Sequence, residues 1–361
     1  MKIVICGLSI TSSWGNGHAT TFRALCRALH RRGHDIVFFE RDLEWYASNR
    51  DMPKPPFCRV HLYENWNDVL GLLRREMSCA DVALVGSFFP DGVKAIDEMC
   101  DSNASVKTFY DIDTPITVAK LRAGDVEYLR RDQVPGFDVY FSFTGGPMLR
   151  ELESRFHASL AVPLYCSFDP DRYRSLDPDP RYTCDLSYMG TYAPDRQLKL
   201  DELFCKPAHA LPQKEFLLAG PQYPAALRWP RNMRRIIHLE PEFHPYFYSS
   251  SLFTLNLTRN EMVEAGYSPS VRLFEAAGCG SAIISDEWAG LETFFRPGEE
   301  ILFARESADV ISFLEIDASE ARRIGRRAQE RVLAEHASER RAVQFEEAVA
   351  TRTASFLAQH S

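Results

Sequence analysis

The stretch Tyr267-Ser268-Pro269-Ser270-Val271-Arg272-Leu273-Phe274-Glu275-Ala276-Ala277-Gly278-Cys279-Gly280 runs through Ser281-Ala282-Ile283-Ile284-Ser285 into Asp286-Glu287-Trp288-Ala289-Gly290-Leu291-Glu292. Its punctuation decides the fold. Ser268 suits a helix N-cap and Pro269 the first helical position. Val271, Phe274 and Glu275 fall on or near one face, and Gly278 and Gly280 end the helix. The apolar run after Gly280 reads as a buried strand, and Gly290 opens the next turn. The order is therefore loop, capped helix, glycine turn, strand, loop. A helix N-terminus presents unpaired N–H groups and the positive end of a dipole, which suit a diphosphate. Glu275, one turn further in, is placed to accept hydrogen bonds from ribose hydroxyls. The same pattern also describes an ordinary α/β unit whose glutamate faces water.

Working outward, 361 residues predict about two domains, each able to bury its own core. A hydrophobic content of 45% with 25% charged residues is that of a soluble globular protein. A net charge of −8 and a pI near 5.7 lack the basic footprint of a general nucleic-acid binder. The nine cysteines include no CxxC pair, and several lie in apolar segments, where a reduced thiol packs as a small hydrophobe. That usage fits a reducing cytoplasm. No Cys/His spacing suggests zinc, no run approaches the ~18 apolar residues of a membrane span, and the N-terminus enters a strand directly without the shape of a signal peptide.

The first βαβ unit begins with Ile3 to Cys6, continues through a loop containing Gly15-Asn16-Gly17-His18, and ends with the strand Asp35 to Phe39 before Glu40. As a dinucleotide fingerprint with Glu40 as its acid, this loop lacks the third glycine. As the mouth of a ligand site, Gly15 and Gly17 form an acceptor-side loop and His18 is a candidate general base; alternatively His18 caps the helix start. Further strands are predicted at 81–85 and 106–110. The second runs into Asp111-Ile112-Asp113-Thr114-Pro115, where two carboxylates could bind a sugar or a cation or act as a base, or Asp113 could simply cap a helix. A strand over 137–143 leads into Gly145-Gly146, which permit close backbone approach to a ligand or a tight turn. After a short strand over 161–165 comes a Pro/Asp-rich segment, read as a linker.

A second sheet starts at Asp185 to Met189, followed by Gly190 and, near the next helix start, Arg196, either a phosphate partner or a surface residue. Strands are predicted at 216–220, 236–239, 252–257 and 301–303. Arg231 to Arg235 is a basic cluster read as solvated surface, with a phosphate or membrane contact as the alternative. Beyond Ser307 the chain reads as helical, with Arg322, Arg323, Arg326, Arg327 and Arg331 on a solvated face.

The run from Tyr267 to Gly280, then Gly290-Leu291-Glu292 with Phe295 and Pro297-Gly298, resembles the CgeB-like group of GT-B glycosyltransferases, a group named after a spore-maturation protein. So do Asp185 to Gly190 with Arg196, Leu255-Asn256-Leu257-Thr258-Arg259, and Arg331 to His336. Gly17-His18 and Arg32-Gly33-His34 resemble the first βα unit of other GT-B enzymes. The resemblance implies an α/β fold of GT-B architecture, two Rossmann-like domains with parallel sheets facing across a cleft. Residues 1–170 would form the acceptor domain, 171–183 the linker and 184–340 the donor domain, with 341–361 a helix packing back on the first. It implies a glycosyltransferase that takes a nucleotide diphosphate sugar as donor and an unknown hydroxyl-bearing acceptor and needs no metal or other cofactor. Glu275 would hold the donor ribose, backbone near Ser268 to Ser270 would meet the diphosphate, and Arg196 or Arg259 would neutralise it. Gly190, Asn256, Arg272, Gly290 and Leu291 complete the expected donor site; His18, Asp111 and Asp113 are the catalytic candidates. Tyr267 stands where many retaining GT-B enzymes carry the first acid of a Glu-x7-Glu motif, and Glu264 is out of register. A GT-B nucleotide-sugar epimerase, a non-catalytic sugar-binding module and a nicotinamide-dependent oxidoreductase are the rival readings.

Overall fold

The computed structural model describes residues 1–14 and 17–360, with side chains through residue 353. Gly15 and Asn16, part of the expected acceptor-side loop, lie outside the described residues. The chain divides into two units, Met1–Cys166 with Ser338–Ser361, and Ser167–Ala337.

In the first unit the strands are β1 (Lys2–Cys6), β2 (Asp35–Arg41), β3 (Arg59–Tyr63), β4 (Val82–Gly86), β5 (Val106–Asp111), β6 (Val139–Ser142) and β7 (Ala161–Pro163). Among the described residues they form one parallel sheet in the order β3-β2-β1-β4-β5-β6-β7. The register sets Val4 beside Val37 on one side and Ala83 on the other. Strands β1 and β4 are fully buried apart from Lys2, because helices cover both faces of such a sheet. The final helix, Ser338–His360, belongs to this unit. Its Ala342, Phe345 and Val349 enter the core beside Leu25 and Leu29 of the helix Gly17–Arg31. Phe345 stacks on Phe141 with ring centroids 5.1 Å apart.

The second unit holds β8 (Cys184–Met189), β9 (Phe216–Ala219), β10 (Met233–Ile236), β11 (Ser251–Asn256), β12 (Ala282–Asp286) and β13 (Leu302–Ala304). These form a parallel sheet in the order β10-β9-β8-β11-β12-β13. Both orders reverse direction once, between β1 and β4 and between β8 and β11. In open α/β sheets the crevice beyond the strand C-termini at such a reversal is where ligands bind. This is the two-domain GT-B architecture that the sequence predicts.

Four details differ from the sequence reading. Strand β3 was not expected: Arg59-Val60-His61-Leu62-Tyr63 is a half-exposed edge strand without a continuous apolar run. The edge strand expected at 236–239 lies earlier, at β10, inside the basic cluster; Arg235 lies over the rings of Trp229 and Tyr223, and Arg234 bonds the carbonyls of Arg181 and Thr183. The Pro/Asp-rich segment is no free linker. Ser175 Oγ donates to the Cys279 carbonyl, the Leu176 N–H to Ser249 Oγ and the Asp179 N–H to Ser250 Oγ, so it packs on the second unit. Finally, the helix of the opening stretch is Val271–Gly278 with Ser270, not Ser268, at its N-cap. The Ser270 hydroxyl does not cap it; it donates to Asn256 Oδ1 at 2.7 Å.

Candidate functional site

At the C-terminal edge of the second sheet the structure gathers most of the expected donor residues. Asn256, the last residue of β11, is buried. Its Oδ1 accepts from Ser270 Oγ and from Arg272 Nη1 at 3.2 Å, and its Nδ2 donates to Ser285 Oγ at 2.9 Å. The Arg272 guanidinium lies over the Tyr188 ring, 5.3 Å from its centroid. Gly190 follows β8, and its carbonyl accepts the Tyr223 hydroxyl at 3.0 Å. Lys199 pairs with Asp286 at 2.8 Å and donates to the Thr258 carbonyl, tying together the ends of β11 and β12 just before Arg259.

Arg196 is not a surface residue: it is only 9% exposed. Nη2 donates to the Thr191 carbonyl at 2.8 Å, while the buried Nε has no partner among the described residues. Burial chiefly, with repulsion from Arg272 and Arg259, pulls its pKa below the ordinary arginine value. A desolvated guanidinium among like charges is costly unless an anion completes the site.

Glu275 is buried rather than facing water. Burial raises its pKa, against a hydrogen bond from Tyr173 and the positive charges of Arg172 and Arg272. Tyr173 also lies 3.5 Å from His244 Nδ1, whose ring burial holds its pKa down at about 4. Sequence reasoning missed Tyr173 and Arg172, which sit in the segment that reads as a linker, and His244.

Tyr267 is held in the left-handed region at φ 47°, with its N–H donating to the Ala289 carbonyl at 2.6 Å. Gly290, at φ 92°, packs its Cα against the Tyr267 ring so closely that a Cβ would collide with it. Gly290→Ala is therefore expected to destabilise the protein by about 1–3 kcal/mol, measured by urea denaturation. Leu291, next in the chain, is fully buried. Ser268 is buried with its hydroxyl 3.0 Å from Met262 Sδ. Arg259 is exposed, at the N-cap of the helix Asn260–Ala265.

In the first unit, His18 and Asp113 come together although 95 residues apart: His18 Nε2 lies 2.7 Å from Asp113 Oδ2. His18 is 9% exposed and Asp113 half-buried. Asp113 does stand at the N-cap of the helix Thr114–Ala123, but makes no capping bond with its side chain. Phe88, at φ 57°, meets the imidazole edge-on, ring centroids 5.9 Å apart.

Asp111 departs from its expected role as a base. It is fully buried, accepting from Tyr140 at 2.5 Å and from Thr117 at 2.6 Å, so no substrate hydroxyl reaches it. Burial pushes its pKa up to about 7. A carboxyl whose folded pKa exceeds its unfolded value favours the folded state at low pH and loses that contribution as pH rises through the folded pKa. Asp111→Asn is thus expected to gain stability relative to the parent between about pH 4 and about pH 7, with a constant difference above; urea melts at a series of pH values check this.

Gly17 opens the helix Gly17–Arg31. A Cβ on Gly145 would meet the Tyr165 hydroxyl, and Gly146 precedes the helix Pro147–Phe156 at φ 59°. Gly145 serves close packing here and Gly146 a backbone conformation with positive φ. Glu40 is consumed by its own loop, accepting from Ser9 Oγ, the N–H groups of Ile10 and Thr11, and Thr11 Oγ1. Its carboxylate is not offered to a dinucleotide ribose, which removes the main support for the oxidoreductase reading.

Residues 196–347 match the family model described as glycosyl transferase-like. A sequence search of curated proteins returned no match. Among solved structures, sucrose-phosphate synthase from Thermosynechococcus elongatus superposes with a TM-score of 0.68 at 13% identity, over 98% of this chain and 100% of that one. Anabaena HepE, solved with UDP and glucose, gives 0.66 at 12% identity over 97% and 100%. An alpha-glucosyltransferase solved with UDP-glucose and DNA gives 0.69 at 13% over 97% and 99%. Fold and match define the class: a protein of GT-B architecture whose residues 196–347 are similar to glycosyl transferases. No helix among the described residues is long and apolar enough to cross a membrane.

Proposed function

We propose that the protein transfers a sugar from a nucleoside diphosphate sugar to a hydroxyl-bearing acceptor. The observation that carries this reading is the convergence of Arg196, Arg272 and the buried Glu275 beyond the strands at the reversal of the second sheet. The leaving diphosphate gains charge as the glycosidic bond breaks, and preorganised cations stabilise that charge. Arg196, Arg259 and Arg272 take this role, and Glu275 accepts from the ribose hydroxyls. His18 accepts the proton of the acceptor hydroxyl, whose oxygen attacks the anomeric carbon while the diphosphate departs with the bonding pair. Asp113 orients the imidazole and offsets its positive charge. A single displacement inverts the anomeric centre. The base pair at His18, and Tyr267 in place of an acid, favour that outcome over retention.

The UDP-glucose and UDP bound by the structural neighbours put uridine sugars first among candidate donors. The same arginines make a bound metal unnecessary in this reading. DNA is not proposed as acceptor, since the net charge of −8 gives no basic footprint. We retain the CgeB-like group as the finer family, supported by the motifs from Tyr267 to Gly298, and the cytoplasm as the location, supported by a scattered cysteine usage without a CxxC pair. The test incubates the protein with UDP-glucose and a panel of glycan, small-molecule and protein acceptors in EDTA. Acceptor-dependent release of UDP supports the proposal. Epimerised sugar without acceptor would indicate an epimerase, and binding without either product a non-catalytic module.

A further inference from the structure

The reaction as written uses His18 and Asp113 and gives Asp111 no part, yet Asp111 builds the turn from which Asp113 projects. Its Oδ2 accepts the Tyr140 hydroxyl, and its Oδ1 accepts both Thr117 Oγ1 and, at 3.3 Å, the backbone N–H of Asp113. Around it the turn is pinned on every side. The Ile112 N–H donates to Ser87 Oγ at 3.0 Å, and Thr114 Oγ1 donates to the Asp111 carbonyl at 3.0 Å. Thr117 Oγ1 in turn shares a hydrogen bond with the Tyr128 hydroxyl at 2.7 Å. The result is one connected path: Tyr140 and Thr117 hold the Asp111 carboxyl, the carboxyl holds the Asp113 N–H, and the Asp113 side chain holds His18.

We propose that Asp111 is a positioning residue for the His18–Asp113 pair, fixing Asp113 through its backbone N–H and placing a second negative charge behind it. This rests on the reading of His18 as the base. Aspartate is the residue type the position needs. A carboxylate accepts several hydrogen bonds at once, whereas an amide of the same shape must offer an NH2 to at least one of these donors. A fully buried carboxyl gathers no solvent screening, so its charge reaches the neighbouring Asp113 with little attenuation.

Burial is the main cause that lifts the Asp111 carboxyl to about 7; the bonds from Thr117 and Tyr140 oppose it, and the Asp113 charge adds to it. The group therefore changes charge in the range where His chemistry operates. The titratable groups packed around it are Asp113 from its own turn, Tyr140 from β6 and Tyr128 from the segment after the helix Thr114–Ala123. Lys120 of that helix lies over the rings of Tyr128 and Phe88 and pairs with Glu127. His18 is reached through Asp113. Below the Asp111 titration the protonated carboxyl is a poorer acceptor for the Asp113 N–H, and one negative charge behind the base is lost. Above it, both return. Turnover should rise with pH through this step.

The test has two readouts. The first is the Asp113 backbone amide resonance, followed by NMR from about pH 5 to about pH 9 without any ligand. It should shift with a midpoint near the Asp111 value and stand still in Asp111→Asn. The second is turnover of UDP-glucose with water as acceptor. Asp111→Asn should lose the corresponding step in the kcat profile, with kcat down roughly 10- to 100-fold and the KM for UDP-glucose unchanged. Tyr140→Phe keeps the carboxyl but removes a bond that favours its ionised form, so both midpoints should move to higher pH; it carries the test if Asp111→Asn does not fold. An Asp113 amide that does not titrate, a kcat step that survives in Asp111→Asn, or midpoints unmoved in Tyr140→Phe would overturn the proposal. If Asp111→Asn turns over like the parent while His18→Ala is inactive, positioning alone has failed. If His18→Ala itself turns over normally, the base reading has failed.

Discussion

Replacing His18 by alanine is expected to lower the rate of sugar transfer by about 10²- to 10⁴-fold while leaving the affinity for nucleotide sugar unchanged. A neutral hydroxyl is a weak nucleophile, and its proton must leave as the new bond forms. In the proposed reaction the proton goes to the ring nitrogen opposite the one that lies 2.7 Å from Asp113 Oδ2, on a ring flanked by Phe88. The contribution is to the transition state only, so the loss belongs in kcat and not in donor binding. Because His18 lies in the first unit and the donor-type residues in the second, the two effects separate cleanly in a comparison of kcat with the Kd for nucleotide sugar. Turnover of His18→Ala within twofold or so of the parent would remove the base. An Asp113→Asn variant should fall in the same direction by a smaller factor, since it keeps a polar partner for the ring but loses the charge that offsets the imidazolium.

The second large effect is expected at Arg196. Arg196→Met should reduce kcat/KM for the nucleotide sugar by about 10²- to 10³-fold, yet leave the free protein at least as stable as the parent. The two halves of this prediction share one cause. The guanidinium is buried, its Nε has no partner among the described residues, and its pKa is depressed by desolvation, with the nearby positive charges of Arg272 and Arg259 adding to the effect. In the empty protein this is unfavourable, and a methionine of similar length fills the volume without the charge. With a diphosphate present the same arrangement is favourable. Opposite movements of stability and activity on one substitution are what a site built for an anion gives. A purely structural Arg196 would instead lose stability, through its bond to the Thr191 carbonyl, and leave the kinetics alone. Thermal denaturation with and without UDP, alongside steady-state kinetics, distinguishes the two.

The legible parts of the fold are those where burial writes a continuous apolar run. Ile3 to Cys6, Val82 to Val85 and Ala282 to Ile284 are interior parallel strands, covered on both faces, and their sequences say so. The edges are not legible. Strand β3 alternates polar and apolar residues, and β10 contains two exposed arginines, because a strand with one open side need not be apolar throughout. At the site, the importance of the helix carrying Glu275 is readable from its turn and cap residues. Its start is displaced by two positions from the expected one, and Ser270 at the observed N-cap gives its hydroxyl to Asn256 rather than to the helix. His18, Asp111 and Asp113 are each visible as residues of strand-end loops. Their division of labour is not. Asp111 is the last residue of β5 and points inward, while Asp113, two residues on, has left the strand and turned to His18. One strand-end register decides which carboxylate is accessible, and sequence spacing does not report it. Tyr173 carries no periodicity signal at all: it reaches Glu275 from a segment whose prolines and aspartates mark it as irregular chain.

The central claim, a nucleotide-sugar site around Glu275 and the arginines, is tested most directly by thermal denaturation against a panel of UDP-, GDP-, TDP- and ADP-sugars with NAD as control. The account predicts stabilisation by one nucleotide class, of about 2.7 kcal/mol when the ligand is 100-fold above its Kd, and its loss in Glu275→Ala with the unliganded protein still folded. Stabilisation by NAD alone, or nucleotide-sugar stabilisation that Glu275→Ala leaves intact, would contradict it.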